Sequence, residues 1–151
     1  MSSDNRLKAI IVDIDGTLAN CEHRRHFLDE RPKNWKGFYA EVGKDEPNWW
    51  CINLIDMYGA KDFSVVLVSG RIAEVKGATL EWLERWNVQY HALFMRNKGD
   101  FRDDQIVKAE LYEQFIKPRY NVEFCIDDRS RIVEMWRSKG LVCLQCAKGD
   151  F

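Results

Sequence analysis

The sequence predicts a doubly wound α/β fold, a parallel sheet with helices on both faces, and three observations lead there. Five short apolar runs alternate with longer stretches of helical spacing, the pattern of successive strand–helix units. The strongest runs are apolar at consecutive positions, as expected of strands covered on both faces. The polar residues that interrupt them cluster just after the runs, at the strand ends where such sheets build their sites.

Taken in order, Ala9, Ile10, Ile11 and Val12 form the first strand, and Ser64 to Val68 the second. His91 to Met95 is a weaker third. Val122 to Ile126 and Leu141 to Leu144 complete the set. Residues 73–86 carry Val75, Leu80, Leu83 and Trp86 at near-helical intervals, with Gly77 weakening the start. Residues 104–116 place Ile106, Val107, Leu111 and Phe115 on one stripe, which Pro118 ends. Ser130 is the expected N-cap of a helix over residues 131–138 that closes at Gly140. Residues 19–62 break the alternation. They hold two helical pieces, 35–42 and 47–58, without a strong strand between them, and predict a small helical cap inserted over one edge of the sheet.

The chain has 151 residues, 46% hydrophobic and 31% charged, which fits one domain spanning residues 1–151 and excludes a disordered chain. Twenty-three Lys and Arg against 24 Asp and Glu give a net charge of −1, so no broad basic field exists to coat nucleic acid. Any such contact must be local. Residues 1–8 lack the apolar core of a secretory signal, and no run is long enough to span a bilayer. Five cysteines, an odd number, are then expected as free thiols in a reducing cytoplasm. Cys143 and Cys146 have a spacing used for zinc, but no second ligand pair stands at a suitable distance and Cys143 lies in a strand-like run.

The chemistry-bearing residues follow the strands. The first strand runs into Asp13, Asp15, Gly16 and Thr17, the second into Ser69, Gly70 and Arg71, and the fourth into Asp127, Asp128 and Arg129. Asp104 and Lys108 stand one helical turn apart. Each group alone could be a turn, a helix cap or a surface pair. Together they cannot be so ordinary. Two pairs of carboxylates at one sheet edge repel by about 4 kcal/mol per pair at about 4 Å, which calls for a cation. Hard oxygen ligands without a His or Cys cluster point to Mg²⁺.

Asp13-x-Asp15-Gly16-Thr17, Ser69, Lys108 and Asp127-Asp128 resemble the four ordered motifs of the haloacid dehalogenase superfamily of phosphatases. From about Leu7 to Phe151 the chain is similar, more closely, to the 3′-phosphatase domain of tailed-phage polynucleotide kinase/phosphatase. Arg24, Arg71, Asp104 to Lys108, Val133 to Arg137 and the ending Gly149-Asp150-Phe151 carry that likeness. The resemblance implies a Rossmann-like sheet with a helical cap, Mg²⁺ as cofactor, and 3′-phosphorylated DNA or RNA ends, or nucleotides, as substrate. It makes Asp13 the nucleophile, Asp15 the general acid and base, and Lys108 a catalytic cation. Asp13, the Asp15 main-chain carbonyl, Asp127 and Asp128 would hold the metal. Thr17, Arg24, Ser69, Gly70, Arg71 and Asp104 would form the substrate-binding set, with Asp104 holding the Lys108 ammonium. A phage-encoded relative would work in the host cytoplasm, away from membranes.

No Gly-x-x-x-x-Gly-Lys-Ser/Thr loop occurs, so no ATP site is assigned and a stand-alone phosphatase is the expectation. Self-association, and the choice among DNA, RNA and mononucleotide, stay open. A deoxyribonucleotidase-like phosphatase on the same core is the alternative. A phospho-accepting receiver domain has its lysine after the last strand, whereas Lys108 precedes Asp127-Asp128. The cap mixes His23, Arg24, Arg25, Arg31, Lys33 and Lys36 with Trp35, Phe38 and Tyr39, a set suited either to gripping a strand or to an ordinary amphipathic core.

Overall fold

A computed structural model describes residues 4–149. Asp150 and Phe151, part of the family-like ending, lie outside the described residues. Five parallel strands form the main sheet: β1 (Leu7–Val12), β4 (Ser64–Ser69), β5 (Ala92–Met95), β6 (Tyr120–Arg129) and β7 (Cys143–Gly149), ordered β5-β4-β1-β6-β7. A two-residue ribbon of β2 (Ala19–Asn20) and β3 (Glu46–Pro47) pairs antiparallel beside it.

The consecutive apolar runs work as their pattern requires, because successive side chains leave a strand on opposite faces. Ile10, Val12, Val65 and Leu67 pack into one core, and Ala9, Ile11, Val66 and Val68 into the other. Helices α2 (Trp49–Ala60) and α3 (Lys76–Arg85) cover the first face through Cys51, Ile52, Ile55, Trp82 and Leu83. Helices α4 (Asp104–Leu111) and α5 (Ser130–Ser138) cover the second through Val107, Leu111, Ile132, Val133 and Trp136. No described helix is long and apolar enough to cross a membrane.

Three local readings change. Within residues 19–62, α2 lies in the sheet core as the crossover between β1 and β4, so only the stretch before it rises over the strand ends. That stretch holds a 3₁₀ segment (Glu22–Leu28) and α1 (Trp35–Ala40), packed around Leu28, Phe38 and Val42. Ser130 is the first residue of α5 rather than its cap, and its hydroxyl accepts a bond from Gln145. The helix expected over 104–116 is α-helical to Leu111 and then widens to a π-helical turn (Tyr112–Ile116) before Pro118.

Candidate active site

Chain direction reverses its progress across the sheet between β1 and β6, the point at which a doubly wound sheet opens a crevice at its carboxyl edge. Asp13 leaves β1 there, and its N–H donates to the Ile126 carbonyl at 3.1 Å, one residue before Asp127. The loop after Asp13 is tight. Gly16 has φ +81°, and a Cβ on it would stand 2.2 Å from Asp128 Oδ2, so only glycine fits between the two carboxylate-bearing segments.

Asp13, Asp127 and Asp128 bring one carboxylate oxygen each within 4.8 Å of one another, all three buried. Lys108 Nζ donates to Asp13 Oδ1 at 2.8 Å and to Asp127 Oδ2 at 2.9 Å. Asp128 Oδ1 is buried without a hydrogen-bond partner. Three hard anions, one cation and an orphaned carboxylate oxygen fit a divalent metal ion. Burial and the neighbouring Asp127 charge push the Asp13 carboxyl well up, and the same two causes take Asp128 to about 6. Burial alone would lower Lys108, but the charges of Asp127 and Asp13 outweigh it and keep the ammonium protonated.

Asp15 turns the other way. Arg24 Nη2 donates to Asp15 Oδ1, and Arg71 donates to the same oxygen from Nε at 3.1 Å and from Nη2 at 2.7 Å. Burial would raise this carboxyl; Arg71 and Arg24 overcome it and hold Asp15 well below the usual carboxylate range. Behind both arginines sits Asp45, which accepts from Arg24 Nε at 2.8 Å, from Arg24 Nη2 at 2.7 Å and from His23 Nε2 at 2.7 Å. Asp45 is buried, and its main-chain carbonyl accepts from the Trp82 indole at 2.7 Å.

A second carboxylate–arginine cluster flanks the site. Asp104 accepts from Arg96 and from Arg129. The expectation that Asp104 holds the Lys108 ammonium is not met: Lys108 reaches across to Asp13 and Asp127, because those charges lie on the buried side of α4. Gly70 passes so close that a Cβ there would stand 2.6 Å from the Asp104 carboxylate. Ser69 is buried and its Oγ accepts from the Arg71 N–H at 3.1 Å.

Most of the expected residues therefore converge: Asp13, Asp15, Ser69, Gly70, Arg71, Asp104 and Lys108 line one small cavity with Trp35, Phe38 and Tyr39 of the cap. Thr17 and Arg24 are fully buried behind it. Thr17 Oγ1 donates to Asp13 Oδ2 at 3.2 Å, so both residues position carboxylates rather than face open space. Cys143 is buried, and all five cysteines are free. Sequence reasoning missed Asp45, Arg96 and the use of Arg129. Arg96 follows β5 directly, and the strand-end rule points to it. Asp45 sits in a charged Lys44-Asp45-Glu46 stretch that reads as surface.

Residues 7–151 match the family described as the polynucleotide kinase PNKP phosphatase domain. The chain belongs to that family. As a PNKP phosphatase domain it is 30% identical over 132 residues to a protein of Autographa californica nuclear polyhedrosis virus named as a bifunctional polynucleotide kinase/RNA ligase. That match takes in 86% of this chain and 18% of the viral one. The structure of a Pnkp1/Rnl/Hen1 complex contains a chain 32% identical, with a TM-score of 0.86 over 98% of this chain and 48% of that one. The class C acid phosphatase of Bacillus anthracis with tungstate bound shares the fold, at TM-score 0.71 and 13% identity over 99% of this chain and 70% of that one. The chain thus spans about half, or less, of the length of these two sequence relatives.

Proposed function

We propose that the chain is a Mg²⁺-dependent phosphatase that converts 3′-phosphate ends of polynucleotides to 3′-hydroxyls through an aspartyl-phosphate on Asp13. The single observation that carries this reading is the buried Asp13–Asp127–Asp128 triad, with Lys108 bridging two members and Asp128 Oδ1 unpartnered. Membership of the PNKP phosphatase family supplies the polynucleotide substrate class.

Asp13, Asp127, Asp128 and the Asp15 main-chain carbonyl would hold Mg²⁺, and the ion would supply positive charge to offset that of the phosphoryl oxygens. Asp13 attacks phosphorus from the end of β1, its carboxylate oriented by the Thr17 hydroxyl. A phosphate dianion repels that carboxylate, so cations must come first. Lys108 and Ser69 take phosphoryl oxygens, while Arg71 shifts from Asp15 toward the incoming charge. As Arg71 moves, Asp15 loses part of what holds its carboxyl down. It can then protonate the leaving 3′-oxygen and afterwards accept a proton from the water that cleaves the aspartyl-phosphate. Only about 20 Å³ is open in the cavity, room for roughly one water. The arriving phosphoryl group must therefore take over hydrogen bonds now made between side chains.

A 3′-phosphorylated oligonucleotide assayed beside 3′- and 5′-mononucleotides tests the reading. Phosphate release from the oligonucleotide supports it; turnover of mononucleotides alone favours a nucleotidase.

A further inference from the structure

Neither Asp45 nor His23 lines the catalytic cavity, yet both belong to the hydrogen-bond network that ends on Asp15. The Asp45 carboxylate takes four donors. Its Oδ1 accepts from Arg24 Nε at 2.8 Å and from His23 Nε2 at 2.7 Å; its Oδ2 accepts from Arg24 Nη2 at 2.7 Å and from Arg71 Nη2 at 3.4 Å. An ionised carboxylate has about four acceptor sites, so none is left over. The same two Nη2 atoms also donate to Asp15 Oδ1. Each arginine thus bridges the two acids through one nitrogen, and a change at Asp45 is felt at Asp15.

The side chains of Asp45, Arg24 and Arg71 are fully buried, whereas that of His23 is 40% exposed. His23 is therefore the point at which solvent reaches the Asp45 side of the cluster. Two acids and two arginines balance without it. Imidazole is the side chain whose charge changes between about pH 5 and 8. Neutral, it donates one N–H to Asp45 and leaves the balance intact. Protonated, it binds Oδ1 by a charge-assisted bond and draws off part of the charge that restrains the arginines, which little water screens. Arg24 and Arg71 then close on Asp15. The other charges around His23 have partners of their own. On its own turn Glu22 pairs with Arg25 at 2.9 Å, and His26 lies on the same segment. Glu41, after α1, pairs with Lys44 at 2.8 Å, which together with the charges of His23 and His26 lowers its carboxyl. Burial pushes the Cys21 thiol up and keeps it uncharged.

We propose that His23 is a positioning residue for the reaction: acting through Asp45, its charge sets how tightly Arg24 and Arg71 hold Asp15, and turnover slows when the imidazole is protonated. The inference rests on the phosphatase reading of the cavity and gives a role there to a residue that touches neither the phosphoryl group nor the metal. Asp15 must shed the guanidinium groups before it can handle a proton, so a tighter hold lowers kcat. The cap turn that supplies Arg24 to the site thereby makes the rate answer to pH.

The test is kcat on 3′-phosphorylated oligothymidylate at saturating Mg²⁺, from about pH 5.5 to about pH 8, for wild type, His23→Gln and His23→Ala. A glutamine amide keeps a neutral N–H donor within reach of Asp45 but gains no charge in this range. Effects of pH on the substrate and on the metal site are common to the three enzymes and cancel in ratios. The kcat ratio of wild type to His23→Gln should fall about fivefold from the alkaline to the acid end, the scale of one partly exposed ion pair. His23→Ala should lack the same acid limb, and thermal melts at both ends check that each variant is folded. A histidine that only filled space would leave the ratio flat. A ratio constant within twofold, or one that rises toward acid, would overturn the proposal. The two readings fail separately. An active enzyme with a flat ratio removes the role of His23 and leaves the phosphatase reading standing. A wild type that releases no phosphate from the strand with Mg²⁺ overturns that reading and this inference with it.

Discussion

Lys108 Nζ lies 2.8 Å from Asp13 Oδ1, joining the fourth main helix to the end of the first strand across a buried interface. The ammonium balances carboxylates that have little water to solvate them, so its removal has two separable effects. Lys108→Ala should lower stability by about 3 kcal/mol in EDTA, the usual cost of leaving a buried charge unpaired. It should also abolish turnover, because a phosphoryl oxygen loses its cation. Added Mg²⁺ should recover much of the stability and none of the activity, as read by thermal melts and phosphate release.

Metal removal should be felt through pH. Burial and Asp127 push the Asp128 carboxyl up to about 6, and Asp13 moves in the same direction. A carboxyl raised on folding costs nothing below its unfolded value of about 3.9, and its penalty grows as pH rises through the folded value. The EDTA-treated protein should therefore lose melting temperature between pH 5 and 7.5. Saturating Mg²⁺ should raise the melting temperature by about 5 °C or more at pH 7.5 and by less at pH 5. A melt insensitive to EDTA at both pH values would count against the metal site.

Asp45 holds two arginines from below. Asp45→Ala leaves Arg24 and Arg71 competing for Asp15 alone and should destabilise the fold by about 3 kcal/mol. Asp45→Asn keeps the shape and should cost less stability while slowing turnover at least tenfold, because both guanidinium groups then bind Asp15 more tightly. Stability from denaturant melts and kcat from phosphate release separate the two variants.

Close backbone approach makes a simple test of geometry. Gly70→Ala would place a methyl 2.6 Å from the Asp104 carboxylate and displace its contacts with Arg96 and Arg129. Turnover should fall more than tenfold with a stability loss of about 1 to 3 kcal/mol, the cost of overpacking. A fully active Gly70→Ala would mean that this carboxylate–arginine cluster does not order the site.

β1 and β4 were legible because β-branched runs buried on both faces leave little alternative to a parallel sheet. The edge strand β7 was less so: it begins two residues after the expected Leu141 and runs on to Gly149 with mostly exposed side chains, which leave no apolar run to read. The meeting of Asp13, Ser69, Asp127 and Asp128 was legible because strand ends are where that sheet gathers polar groups, whereas Lys108, on α4, was marked only by the family resemblance. The cap was less so. Its 3₁₀ turns lack a periodic signature, and α2 carries apolar residues on several sides, which hides that it belongs to the sheet core. Asp45 was invisible for another reason: a buried carboxylate between Lys44 and Glu46 looks like a surface charge until tertiary contacts bring Arg24 and Arg71 to it. Asp104 misled in the opposite sense, since a one-turn spacing to Lys108 says only that they share a helical face.

The most direct test is phosphate release from matched 3′- and 5′-phosphorylated oligonucleotides by wild type and Asp13→Asn, each with Mg²⁺ and with EDTA. Release from the 3′ end alone, only with Mg²⁺, and at least a thousandfold lower in a folded Asp13→Asn is expected. Release confined to the 5′ end or to mononucleotides, or an Asp13→Asn within tenfold of wild type, would contradict the assignment.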